Sequence, residues 1–270
     1  MSDVREVLTA GAHRLRAAGV ADPGRDARLL LDHVLGGQSA FLDGITEDQM
    51  EAYDAALSRR ERREPVSHIT GERAFWKSSF KVSADVLDPR PETETLIAAA
   101  LEAPFERVLD LGTGSGCILL SLLADRPEAT GVGVDLSEAA LRIARQNADR
   151  TGTSERASFL KSDWWDAVSG KFDLIVSNPP YIREAVMADL ASEVRDWEPR
   201  LALTPGGDGL DAYRTLAARA KAFLTGGGRV LVEIGHDQGQ AVSDLFREAG
   251  FSRVETLRDL DGRDRVIRAR

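Results

Sequence analysis

Asn178-Pro179-Pro180-Tyr181 is the stretch of this chain whose residue types combine most directly into chemistry. The Asn178 side-chain oxygen and the Pro179 carbonyl are acceptors with no proton to give. Two converging acceptors suit an –NH2 group, and the Tyr181 ring can cover a planar group behind it. An amide or amine nitrogen held in this way is not protonated and stays free to attack an electrophile. The same four residues could equally form a proline-rich turn whose Asn caps its own backbone. The surrounding elements must decide.

The run Phe172-Asp173-Leu174-Ile175-Val176-Ser177 before them reads as a buried strand of a parallel sheet. Two consecutive prolines stop it, because neither donates a ladder hydrogen bond and each fixes its own φ. Asn178, preceding the first proline, is pushed toward an extended conformation. The corner is therefore rigid and lies at a strand's carboxyl end, where open α/β sheets bind their ligands.

A second constellation lies upstream. Asp110-x-Gly112-x-Gly114-x-Gly116 follows a strand at 108–111 and turns into a helix carrying Ile118, Leu119, Leu122 and Leu123. Its third glycine comes one residue earlier than in the G-x-G-x-x-G dinucleotide fingerprint. Glycines here let the backbone approach a ligand, with helix N–H groups pointing outward. Asp135 ends the next strand, 131–135, where it can accept both hydroxyls of a ribose. Together these features predict an adenosine-type cofactor, NAD or S-adenosylmethionine. His13, His33, His68 and His236 are scattered and no Tyr-x-x-x-Lys occurs, so no hydride-transfer apparatus is visible. The acceptor corner fits methyl transfer to nitrogen instead, which needs no metal. Beyond a third strand near 157–160, Asp163 could bond the adenine amino group and Trp164 flank the ring. Ordinary packing is the competing role for Trp164 and Trp165.

The 270 residues suffice for one large α/β domain and a small second one. The single Cys117 forms no internal bridge, which fits a reducing, cytoplasmic setting. Met1-Ser2-Asp3 opens no apolar leader, and no stretch approaches a membrane span. A net charge of −9 argues against broad binding to nucleic-acid backbones.

Residues 3–19, 22–35 and 46–63 carry helical periodicity, with Asp22-Pro23 as a helix start and Thr46/Gln49 as a capping box. Residues 1–64 thus read as a helical bundle for docking a substrate protein. Residues 65–90 read as a hairpin-like linker, and 91–270 as the domain of repeated βα units. The expected fold is α/β, a doubly wound and mostly parallel Rossmann-like sheet with a small N-terminal helical domain. Arg59, Arg60, Arg62 and Arg63 read as a solvated helix end, or else as a patch for an acidic partner.

The run 110–116, Asp135, Asp163-Trp164 and 178–181 together resemble class I S-adenosylmethionine-dependent methyltransferases of amino nitrogens. Glu64-Pro65-Val66-Ser67-His68-Ile69-Thr70-Gly71-Glu72, Pro89-Arg90-Pro91-Glu92-Thr93-Glu94, Glu198-Pro199-Arg200-Leu201-Ala202-Leu203 and Glu233-Ile234-Gly235 narrow the resemblance to the peptide chain release factor glutamine N5-methyltransferases. The resemblance covers about residues 64–270. Asp88 departs from it, since the family more often has an apolar residue there.

The resemblance implies methyl transfer from S-adenosylmethionine to the glutamine amide of the Gly-Gly-Gln loop of bacterial release factors, in the cytoplasm and by a monomer. It implies that Gly112, Thr113, Gly114, Ser115, Gly116, Asp135, Asp163, Trp164 and Asn178 hold the cofactor. Asn178, Pro179, Pro180 and Tyr181 would hold the glutamine, with Asn178, Pro179 and Tyr181 catalytic. It assigns Arg90 and Glu92 no role beyond shaping the site. Methylation of a ribosomal-protein glutamine, or of DNA or RNA, shares the same acceptor logic; a catalytically silent binding module would not need both motifs intact. Gly36-Gly37-Gln38 copies the substrate tripeptide and reads as a helix C-cap, with automethylation at Gln38 a remote alternative.

Overall fold

A computed structural model describes residues 3–37 and 44–270. Met1, Ser2 and Gln38 lie outside the described residues. The chain divides into two compact units, Met1–Glu72 with Ala191–Trp197, and Arg73–Leu190 with Glu198–Arg270.

In the first unit α1 (Val4–Ala17), α2 (Pro23–Val34) and α3 (Glu47–Glu61) start where their caps predict. Asp22 accepts from Arg25 N, and Thr46 and Gln49 cap each other reciprocally. Leu15, Leu30, Leu31, Tyr53 and Leu57 fill the core between them. The Glu64-Pro65 break is followed by a short α4 (Val66–Thr70), which the hairpin reading did not include. Its Val66 and Ile69 reach the same core, so burial offsets the weak helix propensity of β-branched residues.

The arginine cluster is not a solvated helix end. Arg60 is only 6% exposed and donates to Asp26 Oδ2 at 2.8 Å and to Glu193 Oε1 at 3.0 Å. Arg63 grips both Glu193 oxygens, at 2.7 and 2.9 Å, and Arg59 pairs with Glu64. Three of the four cations thus tie this unit together, Glu193 coming from far along the chain. Arg62 alone of the four is exposed.

A hairpin of β1 (Glu72–Phe75) and β2 (Ser78–Lys81) leads into the second unit, which begins at Arg73. The Asn147 carboxamide fastens it, accepting from Lys81 N at 2.7 Å and donating to Lys81 O at 3.0 Å. A seven-stranded sheet follows, built from β3 (Arg107–Leu111), β4 (Thr130–Asp135), β5 (Ala157–Lys161), β6 (Phe172–Ser177), β7 (Leu224–Glu233), β8 (Val254–Arg258) and β9 (Asp264–Ala269). Its order is β5-β4-β3-β6-β7-β9-β8, with β9 antiparallel to both neighbours and the other pairs parallel.

Helices α5 (Glu94–Leu101) and α6 (Cys117–Asp125) cover one face, and helices Asp211–Phe223 and Gly239–Glu248 the other. α7 (Glu138–Arg150) joins the first group through Ala148. Strand order reverses between β3 and β6. Pairing of Leu111 with Val134 and of Asp110 with Val176 brings the carboxyl ends of β3, β4 and β6 to one edge. That reversal is the topological switch point at which such sheets bind ligands.

Candidate active site

One cavity of about 190 Å³ opens at this edge. Gly112, Thr113, Gly114, Ser115, Asp135, Asp163, Trp164, Asn178 and Pro180 all line it. Gly116, Pro179 and Tyr181 are not among its lining residues. Gly116 instead starts α6 in the left-handed conformation.

The glycine turn is held from both sides. Gly112 N and Thr113 N donate to Val134 O, both at 2.9 Å, and Thr113 Oγ1 donates to Asp110 Oδ2 at 2.7 Å. Asp135 accepts from Gly114 N at 2.9 Å and from Ser137 N at 2.8 Å. Each carboxylate oxygen keeps a further lone pair. Gly114 has a φ of +55° and nothing within 4 Å of where a Cβ would stand, so the turn leaves an open cradle.

Trp164 adopts a φ of 47°, a strained value for a bulky residue. Ser162 Oγ stabilises that turn by donating to Trp164 O at 2.9 Å. The conformation brings the ring over Gly112, whose missing Cβ would lie 3.9 Å from Trp164 Cζ3. Trp165 is the packing residue of the pair, stacked on Phe223 at 4.8 Å. Val86, Leu136 and Ala140 add apolar wall. Apolar walls, an aromatic ring, a carboxylate with spare lone pairs and an open glycine cradle fit an adenosine-bearing methyl donor.

At the acceptor corner Asn178 Nδ2 donates to Thr93 Oγ1 at 3.3 Å, which turns the carboxamide oxygen to the opposite side. Tyr181 directs its hydroxyl to Glu233 Oε1 at 3.4 Å. Burial, with the Glu233 charge beside it, holds the Tyr181 pKa well above its ordinary value, so the hydroxyl stays protonated. Gln238 supports the corner from behind. Its Nε2 donates to Tyr181 O at 3.1 Å, while its Oε1 accepts from Gly235 N at 3.0 Å.

Gly209 completes the support at a φ of +78°, where a Cβ would stand 2.4 Å from Tyr181 O. Gly209→Ala is therefore expected to push the corner out of place, cutting kcat roughly tenfold or more. Cofactor affinity should stay near wild type, because the glycine turn is not touched. Turnover assays and calorimetry on the same preparation check both halves.

Arg90 lines the cavity and holds the buried Glu198 at 2.5 Å, just before the wall residues Pro199, Leu201 and Ala202. Glu92 is exposed. The departing Asp88 is 4% exposed and lies 3.8 Å from Arg73 Nη1. Thr93 and Glu233 escaped the sequence reading as site residues. A lone acid ending the apolar strand 229–233 was the available signal, the same logic that singled out Asp135.

Burial pushes the Asp110, Glu198 and Glu233 carboxyls up to about 7 each. Their folded pKa values exceed the unfolded ones, so the folded state binds the extra protons. Their stabilising contribution is full below about pH 4 and is lost as pH rises through 7. Salt-bridged Glu61 and Glu193 shift the other way, losing their contribution only as pH falls below their ordinary range. The urea midpoint is thus expected to be higher at pH 6 than at pH 8, the unfolding free energy differing by about 1 kcal/mol per buried carboxyl. A midpoint that rises from pH 6 to pH 8 would contradict this.

The chain matches the PrmC N-terminal domain family over residues 6–71 and the Methyltransferase small domain family over residues 80–208. A release factor glutamine methyltransferase of Cereibacter sphaeroides is 53% identical, covering 98% of this chain and 97% of the relative. One of Rhodospirillum rubrum is 49% identical, covering 98% and 84%. Among solved structures, a methyltransferase of Pyrococcus furiosus superposes with a TM-score of 0.56 at 16% identity, over 80% of this chain and 96% of that one. The hMettl16 catalytic domain in complex with an RNA hairpin gives 0.58 at 14%, over 83% and 81%. These two likenesses show the fold alone, and the Methyltransferase small domain match makes it that of a methyltransferase. No helix among the described residues is long and apolar enough to cross a membrane. With half of its residues identical over nearly the whole length of both chains, the protein belongs to the release factor glutamine methyltransferase family of S-adenosylmethionine-dependent enzymes.

Proposed function

We propose that this protein methylates the side-chain amide nitrogen of the glutamine in the Gly-Gly-Gln motif of bacterial release factors. We read it as a cytoplasmic monomer that adjusts translation termination and does not hold nucleic acid stably. The observation that carries the reading is Asn178 at the cavity wall, its Nδ2 tied to Thr93 and its oxygen left as an acceptor. Family membership supports the substrate.

An amide nitrogen is a poor nucleophile because its lone pair is delocalised into the carbonyl. Asn178 Oδ1 and Pro179 O accept hydrogen bonds from its two N–H groups, which orients the nitrogen and stabilises positive charge developing on it. S-adenosylmethionine supplies an electrophilic methyl on sulfonium sulfur. Gly112, Thr113, Gly114, Ser115, Asp135, Asp163 and Trp164 would hold the donor, Asp135 being suited to its ribose hydroxyls, while Gly116 starts α6 beneath the turn. Pro180 and Tyr181 wall the glutamine. Tyr181 stays protonated and removes no proton; the methylated nitrogen loses its proton to water.

The test is transfer of labelled methyl to purified release factor, with a ribosomal protein and DNA in parallel, and peptide mapping of the product. One methyl on the Gly-Gly-Gln glutamine is expected. Label on the ribosomal protein or DNA alone would reject the substrate.

A further inference from the structure

We infer that the Ser177 hydroxyl, bonded to the Leu111 carbonyl, fixes the spacing between the methyl-donor seat and the acceptor corner. Ser177 is a positioning residue, and the inference rests on the proposed roles of the glycine turn and Asn178.

The two seats are built on neighbouring strands. β3 runs into the glycine turn at Gly112, and β6 runs into the corner at Asn178. Their ladder pairs Val108 with Leu174, Leu109 with Ile175 and Asp110 with Val176, and it stops there. One residue further on, Leu111 still pairs with Val134 of β4, and Ser177 with Val232 of β7. Each strand keeps its outer neighbour while the two part from each other. Such parting opens the crevice at a topological switch point. It also ends the backbone ladder between the two seats.

Ser177 Oγ spans the gap, donating to Leu111 O at 2.6 Å, a normal length for a hydroxyl donor. Leu111 immediately precedes Gly112, and Ser177 immediately precedes Asn178. The bond thus joins the last residue before the donor seat to the last residue before the acceptor seat. Ser177 is 0% exposed at the end of an apolar strand. A hydroxyl buried there is costly unless hydrogen-bonded, and burial keeps bulk water from competing for its proton.

In-line transfer needs the attacking nitrogen about 3–3.5 Å from the methyl carbon, and about 1 Å of misplacement can cost 10²-fold. Each seat has bonds of its own. Val134 O and Asp135 hold the glycine turn, while Thr93 and Gln238 hold the corner. Those bonds fix the shape of each seat, and Ser177 fixes how far apart the seats stand.

Two variants separate the hydrogen bond from the space it fills. Ser177→Ala removes the hydroxyl, and Ser177→Cys keeps a similar shape with only a weak S–H donor. With purified release factor and S-adenosylmethionine, both should lower the single-turnover rate roughly tenfold. Cofactor Kd and the KM for release factor should stay within about threefold of wild type, because neither seat loses a bond of its own. A wild-type rate in either variant would overturn the inference. So would a rate loss matched by equal losses in Kd or KM, which a generally loosened fold would give.

A second readout needs no substrate. Amide hydrogen exchange over 108–116 and 172–182 should be at least about threefold faster in Ser177→Ala than in wild type, with the hairpin 72–81 unchanged. Unchanged exchange in either stretch would also overturn the inference. Wild-type enzyme inactive on release factor would instead reject the substrate assignment, and the exchange rates would still decide whether Ser177 ties the two seats.

Discussion

Asn178→Ala is expected to lower kcat on release factor by about 10²–10³-fold while S-adenosylmethionine still binds. The magnitude follows from removing one preorganised partner of a charge that develops during reaction. Alanine keeps the strand end and both prolines, so the backbone of the corner survives. It removes the oxygen proposed to accept from the substrate amide, and the Nδ2 bond to Thr93 at 3.3 Å. The glycine turn and Asp135 make no hydrogen bond to Asn178, so a calorimetric Kd for the cofactor should change by less than about threefold. Asn178→Asp is a useful companion, because it keeps an acceptor but puts a carboxylate beside Thr93. Turnover near wild type in the alanine variant would show that the acceptor corner does not drive the reaction.

The second large effect belongs to cofactor binding. Asp135→Ala should weaken S-adenosylmethionine binding about 100-fold, because charge-assisted hydrogen bonds contribute about 1.5–3 kcal/mol each. Its carboxylate takes Gly114 N at 2.9 Å and Ser137 N at 2.8 Å, and so ties the glycine turn to the start of α7. Removing it frees two half-buried N–H groups and would delete the proposed acceptor for the ribose hydroxyls. Burial holds the Asp135 pKa above its ordinary value, while the backbone N–H donors pull it back. Asp135→Asn should fall between the two, since one end of a carboxamide donates and must face a backbone N–H. Calorimetric titration of the three proteins gives the order. An alanine variant that bound cofactor as tightly as wild type would remove Asp135 from the site.

The local signals were strong where one stretch of chain suffices to satisfy its own backbone. Asp22, Thr46 with Gln49, and Ser137 each cap the helix that follows them, through partners three residues away. Apolar runs at 108–111, 131–135 and 172–177 mark buried strands by their own composition, and the glycine spacing after the first marks the turn. These features are sufficient to anticipate a parallel sheet with an adenosine-type site and an acceptor corner at its carboxyl edge.

Tertiary structure decided whatever required groups distant in sequence to share a buried volume. The left-handed turn of Trp164, disfavoured locally, is held by Ser162 and brings the ring over Gly112. Arg60 and Arg63 read as a solvated patch by sequence, yet they meet Glu193 about 130 residues later and are drawn inward. β9 enters between β7 and β8 because an antiparallel edge pairs there, which no run of 264–269 announces by itself. Thr93 stands behind Asn178, and Glu233 beside the Tyr181 hydroxyl, for the same reason. Residue types announce which chemistry is possible, but polar side chains distant in sequence hold one another in place only once burial removes water as their alternative partner.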